Sequence, residues 1–222
     1  MAITLADLVA NRTMSPAIAA TLATAAAEKR SILVAAIPRL AGKTTTLMAA
    51  LAHAPPGTPL HPLSRDAGPH FGMPPEPDGG YLFMAEISGV GFPEYLWGAE
   101  VRTVFQRVAR GGLSLATSLH AGSLAEAFEV IGRENSVPDQ HASLIDLFVY
   151  IRSLGHWERP DRRVVAEVSE VDRVSGGLPE GRLLHRWDEA TDRFEDIEPP
   201  ERIGAVVDRR AKLTRFESGQ QA

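Results

Sequence analysis

Two hydrophobic periods alternate along the first two thirds of the chain. Apolar-rich runs at SILVAAI (31–37), YLFMAEI (81–87), LSLATSL (113–119) and LIDLFVYI (144–151) predict buried strands. Between them, apolar residues recur three and four positions apart, which predicts helices. Leu47, Ala50 and Leu51 form one such stripe, Val101, Val104, Phe105 and Val108 a second, and Leu124, Ala127, Phe128 and Ile131 a third. The start signals agree. Thr4 with Asp7 predicts a capping box for a helix over LADLVA, and Ser15 before Pro16 opens an alanine-rich helix reaching about Arg30. Pro93 is expected to open the Val101 helix, which Gly111 and Gly112 stop, and Ser123 with Glu126 starts the next. Seven prolines between Pro55 and Pro75 predict loops there, with at most one short strand around Pro59 to Ser64.

After Ile151 the texture changes. RRVVAEVSEV, GRLLHRW and DRFEDI are short alternating segments joined by glycine and acidic turns, the pattern of antiparallel strands. The expected architecture is therefore α/β: a helical lead over 1–30, a core over 31–151 with a mainly parallel sheet, and a β extension with a tail over 152–222. Parallel pairing between 31–37 and 81–87 is expected within that core, and the final GQQA is expected to fray.

Composition narrows the chemistry. A chain of 222 residues with 44% hydrophobic content is long enough for a real core, so disorder is not the whole answer. A net charge of −5 gives no general basis for wrapping a polyanion, and nucleic acid is not an expected partner. The absence of cysteine excludes disulfides, thiolate zinc sites and cysteine nucleophiles, while the histidines at 53, 61, 70, 141, 156 and 185 lack metal-ligand spacing. With no basic leader and no apolar run near eighteen residues, neither a secretory signal nor membrane insertion is expected, and the cytoplasm is the default location.

The candidate chemistry starts at AGKTTT. Gly42, Lys43, Thr44 and Thr45 fall between a predicted strand and a predicted helix. A lysine ammonium there reaches phosphate oxygens, a threonine hydroxyl helps hold magnesium, and helix-start amides donate to an anion. The chain has only three lysines, Lys29, Lys43 and Lys212, so Lys43 is not one of a lysine-rich surface. The full phosphate-loop pattern places glycine five residues before Gly42, where this chain has Ile37, and Leu40 further stiffens the loop. An ordinary helix start with an exposed lysine is the competing reading. Glu86 at a strand end and His120 where strand becomes loop are the matching acid and base candidates, each with a plain structural alternative. Arg102, Arg107 and Arg110 read as a solvated helix face, Arg162 and Arg163 as flanks of a return strand, and Trp157 as a candidate partner contact.

Several blocks together resemble the secretion and pilus-assembly ATPases of type II and type IV systems, nearest the tight-adherence pilus branch. AGKTTTLMAAL is similar to the end of their phosphate loop, PDGGYLFMAEIS to their acidic strand-end segment, LSLATSLHAGSLAEAF to their histidine box, and LIDLFVYIRSLGHWERPDRRVVAEVSEV to a late strand and its return. The resemblance implies a RecA-like P-loop NTPase core that binds ATP and Mg²⁺ through Lys43 and Thr44, with Glu86 near the attacking water and His120 beside it. It further implies a homo-oligomer, or a hetero-oligomer with secretion or pilus components, on the cytoplasmic side of an inner-membrane complex. The chain departs from the family at Ser88 and Gly89, where arginine and aspartate are usual, and at Ala121 and Gly122, where Thr-Asn is usual. Asp66 stands as a weak substitute for an acidic strand motif. Two function classes follow: an ATP-driven motor component with weak hydrolysis, and a non-hydrolysing structural or regulatory paralogue of an active motor.

Overall fold

The computed structural model describes residues 2–38, 40–156, 158–204 and 208–218; Trp157 and the terminal GQQA lie outside them. Helix α1 (Leu5–Ala10) starts at the predicted capping box, with the Asp7 amide donating to Thr4 Oγ1 at 3.1 Å and the Thr4 amide to the Asp7 carboxylate at 2.9 Å. Helix α2 (Pro16–Ala27) is capped by Ser15, which accepts the Ile18 amide at 3.2 Å. Strand β1 (Ile32–Ile37) then leads through the 38–42 loop into α3 (Lys43–Leu51). Strand β2 (Leu60–Pro62) is the single short strand of the proline-rich stretch, followed by a 3₁₀ turn at Arg65–Ala67 and by β3 (Tyr81–Ile87). After β4 (Tyr95–Leu96) come α4 (Ala99–Ala109), β5 (Ser114–Leu119), α5 (Leu124–Glu129) continued by a π-helical turn over Val130–Glu134, and α6 (Asp139–Ala142). The last part is β6 (Leu147–His156), β7 (Arg159–Ser175), β8 (Leu178–Asp188), β9 (Arg193–Asp196) and α7 (Arg209–Glu217).

These strands make one sheet in the order β2-β3-β5-β1-β6-β7-β8-β9, with β4 joined to β3 near Glu86. Pairings among β1, β2, β3, β4, β5 and β6 are parallel, and those from β6 through β9 are antiparallel. The mixed α/β architecture is therefore as the sequence implies, and β6 runs without a break through residues 151 and 152. The expected direct pairing of 31–37 with 81–87 does not occur. Strand β5 lies between them and pairs in parallel with both, matching Ile32 to Ala116 on one side and Tyr81 to Ser114 on the other. Both neighbours are apolar on both faces, so local pattern does not distinguish adjacent strands from strands one place apart.

Residues alternate between two cores, one on each face. In β1, Ile32, Val34 and Ala36 pack with α1, α2, α3 and α7, whereas Leu33 and Ala35 pack with α4 and α5 on the other face. Helix α2 is buried all round because the sheet covers one side and α7 crosses the other. The tail thus contains a helix that the sequence reading does not anticipate. Pro93 does not open α4 either. Residues 95–96 are drawn into the bridge with β3, and the helix begins after Gly98, with Glu100 accepting the Trp97 amide at 3.1 Å and paired with Arg65 at 2.7 Å.

Candidate functional site

The crossover from β1 through α3 leads to one side of the sheet, and the crossover from β5 through α5 leads to the other side of β1. Open α/β sheets form a crevice where connections diverge in this way, beyond the carboxyl ends of the strands. Lys43 follows β1, His120 follows β5, and Glu86 lies one residue from the end of β3. All three line one cleft of 710 Å³, together with the loop from Leu40 to Gly42, Thr44, Thr45 and Thr46, the Asn11–Thr13 turn, Tyr95, Arg162 and Arg163.

The three side chains touch. Lys43 Nζ lies 3.1 Å from Glu86 Oε2, and His120 Nε2 lies 3.3 Å from Glu86 Oε1. Lys43 Nζ also approaches both ring nitrogens of His120, at 3.4 Å from Nδ1 and 3.3 Å from Nε2. The Ala36 carbonyl lies 3.1 Å from Nδ1 and orients the ring, which turns Nε2 toward Glu86. Glu86 is 6% exposed and Lys43 7%, so the pair is nearly withdrawn from water. Burial pushes the Glu86 carboxyl up, but the His120 hydrogen bond and the Lys43 charge outweigh it and hold the group below its usual value.

That depression has a measurable consequence. A carboxyl whose folded pKa lies below its unfolded value stabilises the fold fully above the unfolded value, about 4.3 for glutamate, and loses that contribution as pH falls through the folded value. Glu86→Gln should therefore flatten the acid side of the stability–pH curve relative to the native chain, measured by urea unfolding at pH steps below 5. Curves that stay parallel would contradict the ion pair.

The loop itself departs from the sequence expectation in how it turns. Ile37 stays in the strand, as the 31–37 run predicts, and among the described residues of the loop the left-handed ones are Leu40, at φ +64°, and Gly42, at φ +88°. A leucine in that region is strained by about 1 kcal/mol, and its side chain is 64% exposed at the cleft mouth. A Cβ at Gly42 would also sit 3.3 Å from Arg163 Cδ, a contact that the arginine side chain would have to relieve by a few tenths of an ångström. The first bond inside α3 runs from the Thr46 amide to the Gly42 carbonyl at 2.9 Å. The Thr44 and Thr45 amides precede it and are the donors that a helix start presents to an anion.

Four groups suit phosphate and magnesium: the Lys43 ammonium, the helix-start amides, the exposed Thr44 hydroxyl and the Glu86 carboxylate. Mg²⁺ usually takes one or two protein oxygens and completes its shell with phosphates and water, so a single threonine hydroxyl fits it and a dedicated protein cage is not needed. No group of three or more metal-ligating His, Asp or Glu side chains occurs among the described residues. Asp66 sits exposed on the 3₁₀ turn, away from the cleft lining, and Asp78 pairs with His61 at 2.8 Å. Arg102 and Arg107 bond the Asn135 and Pro74 carbonyls, and neither lines the cleft.

Arg163 is the residue that sequence reasoning undervalued. Its Nε donates to the Leu40 carbonyl at 2.9 Å, so a strand more than a hundred residues downstream forms a wall of the cleft. The only sequence signal was the RR pair at 162–163, which local pattern assigns to a strand flank.

No protein-family model matches this chain, and none of the curated proteins does. Among solved structures, it is similar to the VirB11 ATPase from the Brucella suis type IV secretion system, determined in complex with sulphate, at 21% identity and a TM-score of 0.47. The match covers 67% of this chain and spans half of that chain. Among the described residues no helix is long and apolar enough to cross a membrane.

Proposed function

We propose that this chain binds MgATP in the cleft at the carboxyl ends of β1, β3 and β5 and hydrolyses it slowly, as a member of the P-loop secretion and pilus ATPases nearest the tight-adherence branch. The observation that carries the reading is the convergence of Lys43, at a helix start, with Glu86 and His120, at two strand ends, on one open cleft. A phosphate site needs a cation, a carboxylate and an orienting base together, and three side chains distant in the chain supply them here.

The geometry suggests the order of events. Before ligand arrives, Lys43 is engaged by Glu86, so a phosphate chain competes with a carboxylate for the same ammonium. Drawing Lys43 onto the phosphate takes a cation away from Glu86, whose basicity rises while His120, held by the Ala36 carbonyl, keeps it oriented. Glu86 is then the acceptor for a water proton. The Thr44 hydroxyl would hold magnesium, which when bound would supply charge neutralisation on the phosphate oxygens. Oligomerisation with itself or with secretion and pilus components, on the cytoplasmic side of the membrane, belongs to this same reading.

Turnover by the isolated chain is expected to stay below roughly 1 per second. Phosphoryl transfer relies on preorganised charges and exclusion of water. Here the cleft is open, the loop lacks its usual first glycine, and Ser88 and Gly89 stand where the resemblance places a charged pair. A steady-state phosphate-release assay with a parallel MgATP titration tests both halves. Binding with little release is the expected outcome. Robust magnesium-dependent release abolished by Glu86→Gln would show the site to be complete, and no binding would overturn the reading. The non-hydrolysing paralogue is the second reading, favoured by the engagement of Lys43 with Glu86.

A further inference from the structure

Three cationic side chains beside His120 line the cleft, and their surroundings differ. Lys43 is engaged by Glu86. Arg162 is committed: its guanidinium donates to Asp192 at 2.7 Å and to the Arg12 carbonyl at 3.0 Å, and lies 6.0 Å from the centre of the Trp187 ring. Arg163 has spent only Nε, on the Leu40 carbonyl at 2.9 Å. Among the described residues no carboxylate pairs with its guanidinium, and its two terminal nitrogens meet no acceptor.

That placement is built rather than incidental. Strand β6 pairs with β1 as far as Arg152 opposite Ile37 and then continues, so the β6–β7 hairpin overhangs the end of β1. Ser153 is paired with Arg163 in this overhang, which brings Arg163 over the 38–42 loop. The side chain lies across Gly42, where a Cβ would meet its Cδ at 3.3 Å, and it braces the carbonyl of Leu40, the strained residue of the loop. The loop has no glycine between residues 37 and 41 to form the usual concave run of amides. The guanidinium is held against this same loop at the Leu40 carbonyl.

We propose that Arg163 binds the ligand's phosphate chain directly, through its terminal nitrogens, and supplies donors that the glycine-poor loop does not curve its own amides to provide. The inference rests on the reading of the cleft as a nucleotide site and adds to it a phosphate-binding residue outside the loop. Chemistry favours a polyphosphate. A planar fork of N–H donors next to an ammonium and a helix start matches several adjacent phosphate oxygens, whereas a single carboxylate engages one of the three at a time.

The test uses the full chain and three forms, native, Arg163→Gln and Arg163→Lys, titrated by calorimetry with MgATP and separately with magnesium tripolyphosphate at low and moderate salt. A glutamine amide can still donate to the Leu40 carbonyl, so the brace survives while the charge and fork are lost. Arg163→Gln should bind both ligands about tenfold to hundredfold more weakly and with a shallower salt dependence, and Arg163→Lys should recover part of the affinity. Native binding of MgATP with equal affinity in Arg163→Gln would overturn the role of Arg163 and leave the cleft reading standing. Weaker binding with an unchanged salt dependence would make Arg163 a brace only and equally overturn the direct contact. Binding of neither ligand by the native chain would overturn the cleft reading and this inference with it.

Discussion

Lys43→Ala should lower the affinity for MgATP by about two orders of magnitude or more, to the edge of detection by calorimetry. Two effects act in the same direction. The substitution deletes the ammonium that the start of α3 directs into the cleft, and with it charge-assisted bonds to phosphate. It also leaves the Glu86 carboxylate facing an incoming polyanion without its 3.1 Å counter-charge, so the remaining site repels what it formerly held. Breaking a buried pair by removing one partner also destabilises the fold, by about 3–5 kcal/mol when fully enclosed and less beside an open cleft. Lys43→Ala with Glu86→Gln separates the two consequences. The double variant should regain thermal stability without regaining affinity for MgATP. Identical affinity of the native chain and Lys43→Ala would contradict the assignment.

The second large effect lies away from the cleft, at Glu170. This carboxylate is fully buried and accepts three backbone amides from the C-terminal segment: Arg202 at 3.0 Å and Ile203 at 2.7 Å on one oxygen, Glu201 at 2.8 Å on the other. Arg202 in turn reaches the Asp146 carboxylate at 2.8 Å and the Val171 carbonyl at 2.8 Å, so the segment leading to α7 is pinned to the start of β6 and the middle of β7. Glu170→Ala leaves those amides without their acceptor, at about 1–3 kcal/mol for each one that stays buried, and the loss should reach about 3 kcal/mol. Urea unfolding measures the total. Amide exchange identifies the mechanism, because protection in α7 and on the outer face of α2 should fall before that of β1 and β5. Uniform loss of protection would mean that Glu170 holds the whole sheet rather than the tail.

The candidate site shows how far local sequence reaches. Glu86 and His120 are legible because each stands where a strand ends, and Lys43 and Thr44 because they open the helix that follows one; such positions collect at one edge of a parallel sheet whatever the strand order. The helix starts at Thr4, Ser15 and Ser123 are legible for a similar reason, since a cap is a bond between residues three apart. Both are short-range physics.

What the sequence by itself determines, then, is the set of elements, their α/β alternation, the antiparallel tail and the strand-end residues of the cleft. The tertiary structure decides what depends on partners distant in the chain. The placement of β5 between β1 and β3 is one case, because apolar strands buried on both faces carry no local mark of their neighbours. The cover that α7 gives to α2 is another: nine residues with only Phe216 buried show no amphipathic pattern to read. The third is Arg163, whose approach to Gly42 and Leu40 follows from the register that sets it opposite Ser153 in the overhanging hairpin. A slip of one residue would turn that side chain to the opposite face of the sheet, so its role exists only once β1, β6 and β7 are in register.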